Sequence, residues 1–225
     1  ETIANWYKQK YNITNVFYVE NIPLNPYEGK IMQASDKLRI DLNIPSDKII
    51  FIYQGILSLG RGVSELVEIF KSGKVYKDRV IVFMGYGEFE NEIKQVSSNN
   101  EQVYFKSAVK QDQILEYTSG ADVGLFYILD KNLCLSYKMS LPNKFYEYSI
   151  AGLYISVNDY FSVMPNIIKK NKLGNVVKTD IKEMILFFNS ITKDKIKESK
   201  EKSSEYRRKI DWSQNYSTLK EVYTI

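Results

Sequence analysis

Histidine is absent from this 225-residue sequence. That removes the commonest general base and the commonest metal ligand. With a single cysteine, Cys134, a zinc site has no ligand set to build on. The lone thiol also has no internal disulfide partner, which points to a reducing compartment, and the expected location is the cytoplasm. Long apolar runs are missing too: none approaches the ~20 residues a membrane helix needs, and the longest, such as residues 49–53, are strand-sized. No signal peptide is read at the start. Glu1-Thr2-Ile3-Ala4-Asn5-Trp6 is helix-like and lacks an initiator Met, so the opening is read as a boundary inside a longer chain. One-signed charge is scarce as well. The net charge is +4, and residues 193–209 hold eight Lys/Arg against four Asp/Glu, which equals the whole excess. A mixed run of that kind reads as a solvated helix. A nucleic-acid partner, which would call for a basic face across the fold, is not expected. Any chemistry therefore rests on Arg, Lys, carboxylates, hydroxyls and backbone dipoles.

What is present is ordinary globular composition, with 44% hydrophobic and 26% charged residues. Residues 1–11 read as a helix and 15–20 as a strand. A loop with Pro23, Pro26 and Gly29 follows, and then a helix over 32–42. From about residue 48 a regular alternation begins. Strand-like runs lie near 49–54, 79–84, 102–105, 122–126, 153–157 and 174–177, with amphipathic stretches at 62–71, 88–98, 110–119, 143–151 and 160–171. In 62–71, Val63, Leu66, Val67, Ile69 and Phe70 follow helical spacing, as do Ile114, Leu115 and Tyr117 in 110–119. Strands apolar throughout and alternating with helices imply a parallel sheet covered on both faces. The fold class is α/β, a doubly wound Rossmann-like sheet of about six strands, with ligands at the carboxyl ends. The tail from about 180 reads as two or three helices.

Four segments carry chemistry. In Gly55-Ile56-Leu57-Ser58-Leu59-Gly60-Arg61-Gly62 the glycines permit a tight turn and close backbone approach. Arg61 sits where a cation opposes the dipole of the following helix, which makes sense if an anion binds there. An exposed Arg on an ordinary connection is the other reading. Met84-Gly85-Tyr86-Gly87-Glu88 is a second strand–helix turn, and by itself it signifies no more than a turn. Ser119-Gly120-Ala121-Asp122-Val123-Gly124 places Asp122 at a strand start, in a structural role rather than a catalytic one. Ser140-Leu141-Pro142-Asn143-Lys144-Phe145-Tyr146-Glu147, running on to Ala151-Gly152, is the most specific. Ser140 is expected to cap the helix and Pro142 to sit in its first turn. Lys144 is another cation against a helix dipole, and Glu147 shares its face. A phosphate-binding Lys beside a carboxylate for ribose hydroxyls is a nucleoside-diphosphate constellation, whereas a local Lys–Glu pair on a surface helix is the bland alternative.

The order and spacing of these four segments resemble the donor-binding, C-terminal domain of glycosyltransferases of the GT-B fold, especially the retaining family 4 (glycosyl transferases group 1). The resemblance covers about residues 48–178 strongly and the flanks weakly. It implies one half of a GT-B fold, with residues 1–47 as the end of an acceptor domain and a linker. Residues 48–190 would be the nucleotide-sugar-binding domain, and 191–225 helices crossing back to the other half. It implies hexosyl transfer from a nucleoside-diphosphate sugar, with no cofactor and no metal, to an acceptor glycan or lipid-linked glycan in cell-surface or capsular polysaccharide synthesis. The other half would supply the acceptor site and any peripheral membrane attachment, so the present chain is expected to be inert alone. Arg61 and Lys144 would be the catalytic cations. Gly55, Gly62, Gly85, Gly87, Val109, Leu141, Pro142, Asn143 and Glu147 would bind the donor, with Glu147 on the ribose and the 105–109 segment against the base. Two positions depart from the family pattern. Ile56 stands where an Arg is common, and Met139 stands where the family often has a first Glu, eight positions before Glu147. The sugar-facing acid is thus missing or supplied from elsewhere. A nucleotide-sugar epimerase of the same fold and a non-catalytic nucleotide-binding module are the alternatives.

Overall fold

The computed structural model describes residues 1–223 apart from 24, 28, 29, 31 and 131–133, so the loop glycine Gly29 lies outside the described residues. In chain order the elements are α1 (Thr2–Tyr11), α2 (Lys37–Leu42), β1 (Ile49–Ile56), α3 (Val63–Lys71), β2 (Arg79–Tyr86), α4 (Glu90–Ser97) and β3 (Val103–Ser107). Then come α5 (Ile114–Thr118), β4 (Val123–Phe126), α6 (Leu135–Met139), α7 (Asn143–Ala151), β5 (Tyr154–Asn158), α8 (Met164–Asn171) and β6 (Gly174–Val177). The tail is α9 (Ile181–Ser190), α10 (Lys193–Lys202), α11 (Ser204–Arg208) and α12 (Tyr216–Tyr223). No helix among the described residues is long and apolar enough to cross a membrane.

The six strands form one sheet in the order β3-β2-β1-β4-β5-β6, every pairing parallel. The alternation of side chains along each strand divides the core in two. On one face Ile50, Ile52, Val80, Val82 and Met84 pack with Leu38 of α2, Tyr148 of α7 and Ile168 of α8. On the other Phe51, Tyr53, Ile81 and Phe83 pack with Val67 and Phe70 of α3 and Phe187 and Phe188 of α9. Phe188 is fully buried, with its ring 5.0 Å from that of Phe51 and 5.2 Å from that of Phe70. Truncating such a ring to Ala typically costs ~3–5 kcal/mol. Burial on both faces explains why these strands read as continuous apolar runs. The strand order reverses between β1 and β4, and the crevice outside their carboxyl ends is where a doubly wound sheet takes its ligand.

Four expectations need correction. The tail from about 180 holds four α-helices, α9 to α12, among the described residues rather than two or three. Residues 15–20 form no strand. Phe17, Tyr18 and Val19 are exposed, and the end of the segment is fixed instead by the Asn215 side chain of the tail. The Glu20 N–H donates to Asn215 Oδ1 at 2.9 Å, and Asn215 Nδ2 donates to the Glu20 carbonyl at 3.0 Å. An apolar run without a sheet edge beside it has no ladder to join. The helix expected over 32–42 shrinks to α2, because Ser35 makes a local turn ahead of it. Its N–H donates to Ser119 Oγ at 3.1 Å, and its hydroxyl accepts the Lys37 N–H at 3.2 Å. Ser140 does not cap α7. Its hydroxyl donates back to the Tyr137 carbonyl at 2.9 Å, closing α6. Pro142 takes the N-cap position of α7, and no side chain caps that end.

Asp122 is structural, as expected. Its carboxylate accepts the Ile50 N–H at 2.7 Å and Arg39 Nη2 at 3.0 Å. It lies just before β4, at the end of the sheet away from the crevice.

Candidate functional site

A cavity of about 570 Å³ opens at the carboxyl ends of β1 and β2, bounded on its far side by the N-terminal turn of α7. That volume suits a small-molecule ligand. Nine of the eleven site residues expected from the sequence line it: Gly55, Arg61, Gly85, Val109, Leu141, Pro142, Asn143, Lys144 and Glu147. Gly62 and Gly87 do not. Gly62 is the N-cap of α3 with φ +73°, packed against Tyr127. Gly87 lies against the Leu57 carbonyl. Gly85 is required by proximity, since a Cβ there would fall 1.8 Å from the Gly55 carbonyl oxygen across the β1–β2 pair.

The two cations approach from different elements. Arg61 lies in the β1–α3 connection, two residues ahead of the helix, and is half-buried. It meets no carboxylate among the described residues. Its Nη2 donates to the Tyr137 hydroxyl at 2.6 Å, and its guanidinium lies 5.2 Å from that ring's centroid. Lys144, in the first turn of α7, directs its ammonium inward, 4.4 Å from the Tyr53 ring centroid and 4.2 Å from that of Phe126. Removal from water, with the Arg61 charge nearby, brings its pKa down to about 7, against a smaller opposing pull from Glu147. Burial pushes the Tyr53 phenol up to about 12, opposed by Arg61. The bland alternative, a local Lys–Glu surface pair, is not what forms. Lys144 and Glu147 form no ion pair among the described residues, and both are partly buried. The Glu147 carboxylate instead accepts a hydrogen bond from the side-chain amide of Gln54. Burial raises its pKa, with Gln54 and Lys144 pulling the other way. The uncapped N-terminus of α7 completes a positive corner, because unpartnered N–H groups there favour an anion.

The opposite wall is apolar, made by Met84, Tyr86, Ala108, Val109 and Ile114. Ile56, at the position where the family often has Arg, lines the cavity without adding charge. Met139 does not line it. It faces a neighbouring groove with Leu141, Tyr146 and α1. Glu147 is therefore the one carboxylate on the cavity wall among the described residues.

The profile of the family described as "Glycosyl transferases group 1" matches residues 34–210, a span that contains every residue of this cavity except Asn21. The chain belongs to the glycosyl transferases group 1 family. No curated protein sequence matches it. Among solved structures it is similar to WaaG, a glycosyltransferase involved in lipopolysaccharide biosynthesis, at 14% identity and TM-score 0.66, covering 96% of this chain and 59% of that one. It is similar to Anabaena HepE in complex with UDP and glucose at 14% identity and TM-score 0.68, covering 95% and 57%. It is also similar to sucrose-phosphate synthase from Thermosynechococcus elongatus at 15% identity and TM-score 0.68, covering 98% and 55%. At such identities the likeness is one of fold, and the fold is the Rossmann-like one of GT-B glycosyltransferases. This group 1 chain spans less than three-fifths of the length of each of these structures.

Sequence reasoning missed several contributors. Gln54, Asn21, Tyr86 and Ile114 line the cavity without having been assigned a role, and Tyr137 and Thr118 support it from behind. Gln54 could have been found, because it is the one polar residue between the apolar run 49–53 and Gly55. Asn21 could not. It reaches the cavity from a segment 122 residues away in sequence, where its amide donates to Asn143 Oδ1 at 2.6 Å.

Proposed function

We propose that this chain is the donor-binding half of a glycosyltransferase, and that its cavity holds the nucleoside diphosphate of a nucleotide sugar. One observation carries the reading: Arg61, Lys144, the uncapped N-terminus of α7 and Glu147 converge on a single cavity at the switch point of the sheet. Family membership and the likeness to HepE, whose structure contains UDP and glucose, support it. The diphosphate lies between Arg61 and the first turn of α7, the ribose hydroxyls on Glu147, and the base against Ala108 and Val109. During transfer the bond from the anomeric carbon to the diphosphate oxygen breaks, negative charge grows on the departing diphosphate, an acceptor hydroxyl bonds to that carbon from the same face, and its proton passes to the departing diphosphate oxygen. Arg61, Lys144 and the helix N-terminus are already aimed at that charge, the preorganised arrangement that lowers such a barrier. No metal is needed for this, and the anomeric configuration is retained. The acceptor, a glycan or lipid-linked glycan of a surface polysaccharide, is bound by a facing domain across a closing cleft.

Titration calorimetry with a panel of nucleoside diphosphates tests the reading. Saturable binding that survives a chelator is expected. If no member of the panel binds, or if binding requires a divalent cation, the donor site is wrongly assigned.

A further inference from the structure

We propose that Gln54 is the positioning residue for Glu147: its side-chain amide holds one carboxylate oxygen and leaves the other open to the cavity for a ribose hydroxyl. The inference rests on the donor-binding reading above and adds a residue to it.

Gln54 is 4% exposed, near the carboxyl end of β1. Both ends of its amide are engaged. Nε2 donates to Glu147 Oε2, and Oε1 accepts from the Thr118 hydroxyl at 2.7 Å. Its backbone N–H donates to the Tyr148 hydroxyl at 3.1 Å. The Thr118 hydroxyl lies 2.7 Å from both Gln54 Oε1 and the Ile114 carbonyl and has one proton to give, so it is the Glu147 carboxylate, which only accepts, that sets the amide nitrogen toward itself. A buried amide is costly unless paired, so its presence in a strand otherwise apolar through residues 49–53 calls for a partner that needs a donor. Glu147 is that partner. Lys144 and Glu147 stand three residues apart on α7, a spacing at which an ion pair can close. Pairing would quench the phosphate-facing cation and the ribose-facing carboxylate together. Gln54 draws Glu147 toward β1 while the rings of Tyr53 and Phe126 hold the Lys144 ammonium apart. No donor among the described residues meets Glu147 Oε1, which is left to the cavity. The charged and titratable groups that act on Glu147 are Lys144 and the Tyr148 hydroxyl on its own helix, with Arg61 and the Tyr53 ring beyond Lys144.

The test compares ribose recognition with phosphate recognition. Affinities of the chain for UDP, ADP and GDP and for their 2′,3′-dideoxy forms are measured between pH 5 and pH 8, in the unaltered chain and in Gln54→Met, Gln54→Glu, Thr118→Val and Glu147→Ala. The unaltered chain should prefer the ribose form roughly ten- to hundredfold. Gln54→Met should lose most of that preference while keeping dideoxy affinity within about twofold, a split that general loosening of the fold does not produce. Thr118→Val, which frees the amide, should lose part of it and serves as the second variant if Gln54→Met does not fold. Gln54→Glu sets two carboxylates together, so the pair holds a proton to higher pH than either alone. Its ribose preference should be absent at pH 8 and return toward pH 5, where the shared proton restores a donor. If Glu147→Ala abolishes the preference but Gln54→Met and Thr118→Val retain it, or weaken both nucleotide forms alike, the role of Gln54 is refuted and the donor site stands. If none of the three diphosphates binds, or Glu147→Ala leaves the preference intact, the donor reading falls and the positioning role falls with it.

Discussion

Lys144 and Glu147 are shifted in opposite directions from their ordinary ranges, the lysine down to about 7 and the glutamate up, both chiefly by burial. Before a ligand binds, a rise in pH from 6 to 8 therefore takes the proton from Lys144. An incoming diphosphate favours the charged form, so binding near pH 8 should draw a proton from solvent. Calorimetry in buffers of different ionisation enthalpy should show that uptake, fading as the pH falls well below 7 and missing in Lys144→Met. Uptake unchanged in that variant would place the titrating group elsewhere. The proposed role of Arg61 is a charged contact to the diphosphate. Arg61→Ala should weaken a nucleoside diphosphate about ten- to hundredfold while leaving the parent nucleoside unaffected, since a charge-assisted hydrogen bond is worth ~1.5–3 kcal/mol. Gly85→Ala should fail for a steric reason, because the methyl would strike the Gly55 carbonyl. A loss of ~3 kcal/mol in urea denaturation is expected. At this scale the sequence was informative wherever a residue type has a restricted use: glycines at strand ends, cations ahead of helices, a Glu one turn on. It was silent where a role depends on which distant side chain arrives, as with Tyr137 behind Arg61 and Asn21 at Asn143.

At the scale of elements, the two ends of α7 differ. Its N-terminus is left uncapped and faces the cavity, whereas its C-terminus is secured by Arg207 of α11. Arg207 is buried, and its guanidinium donates to the carbonyls of Ser149 at 2.7 Å and Leu153 at 2.8 Å. Burial brings its pKa down to about 10, so the charge is retained at neutral pH. Arg207→Met should destabilise the chain by roughly 2 kcal/mol, because two carbonyls lose their donor while the cost of burying a charge is relieved. Equilibrium denaturation reads this directly, and an unchanged midpoint would show that the cap is dispensable. All six strands were legible in the sequence to within about two residues, since a strand buried on both faces is an apolar run bounded by turns. Residues 15–20 have the same local pattern and form no strand, because local composition does not say whether a neighbouring edge exists. α6 was not foreseen. Its five residues, Leu135–Met139, are too few to show a helical period.

At the scale of the molecule, α10 packs against β5 and α11 against α7, whereas α12 packs chiefly on the turn just before it. Ile210 is in the core, but Tyr216, Val222 and Tyr223 of the last helix are exposed, as are Tyr7 and Tyr11 of α1. Under the donor-half proposal these aromatic faces would meet a facing domain, and the chain alone is then expected to bind donor yet transfer no sugar. The division into a site half and a facing half rested on the family resemblance rather than on any periodicity in the sequence. The most direct measurement of the central claim is a crystal structure with the tightest-binding nucleoside diphosphate. The expected result places the diphosphate between Arg61, Lys144 and the first turn of α7, with a ribose hydroxyl on Glu147. A nucleotide seated instead in the groove beside Asp159 and Lys178, with the 570 Å³ cavity empty, would contradict it.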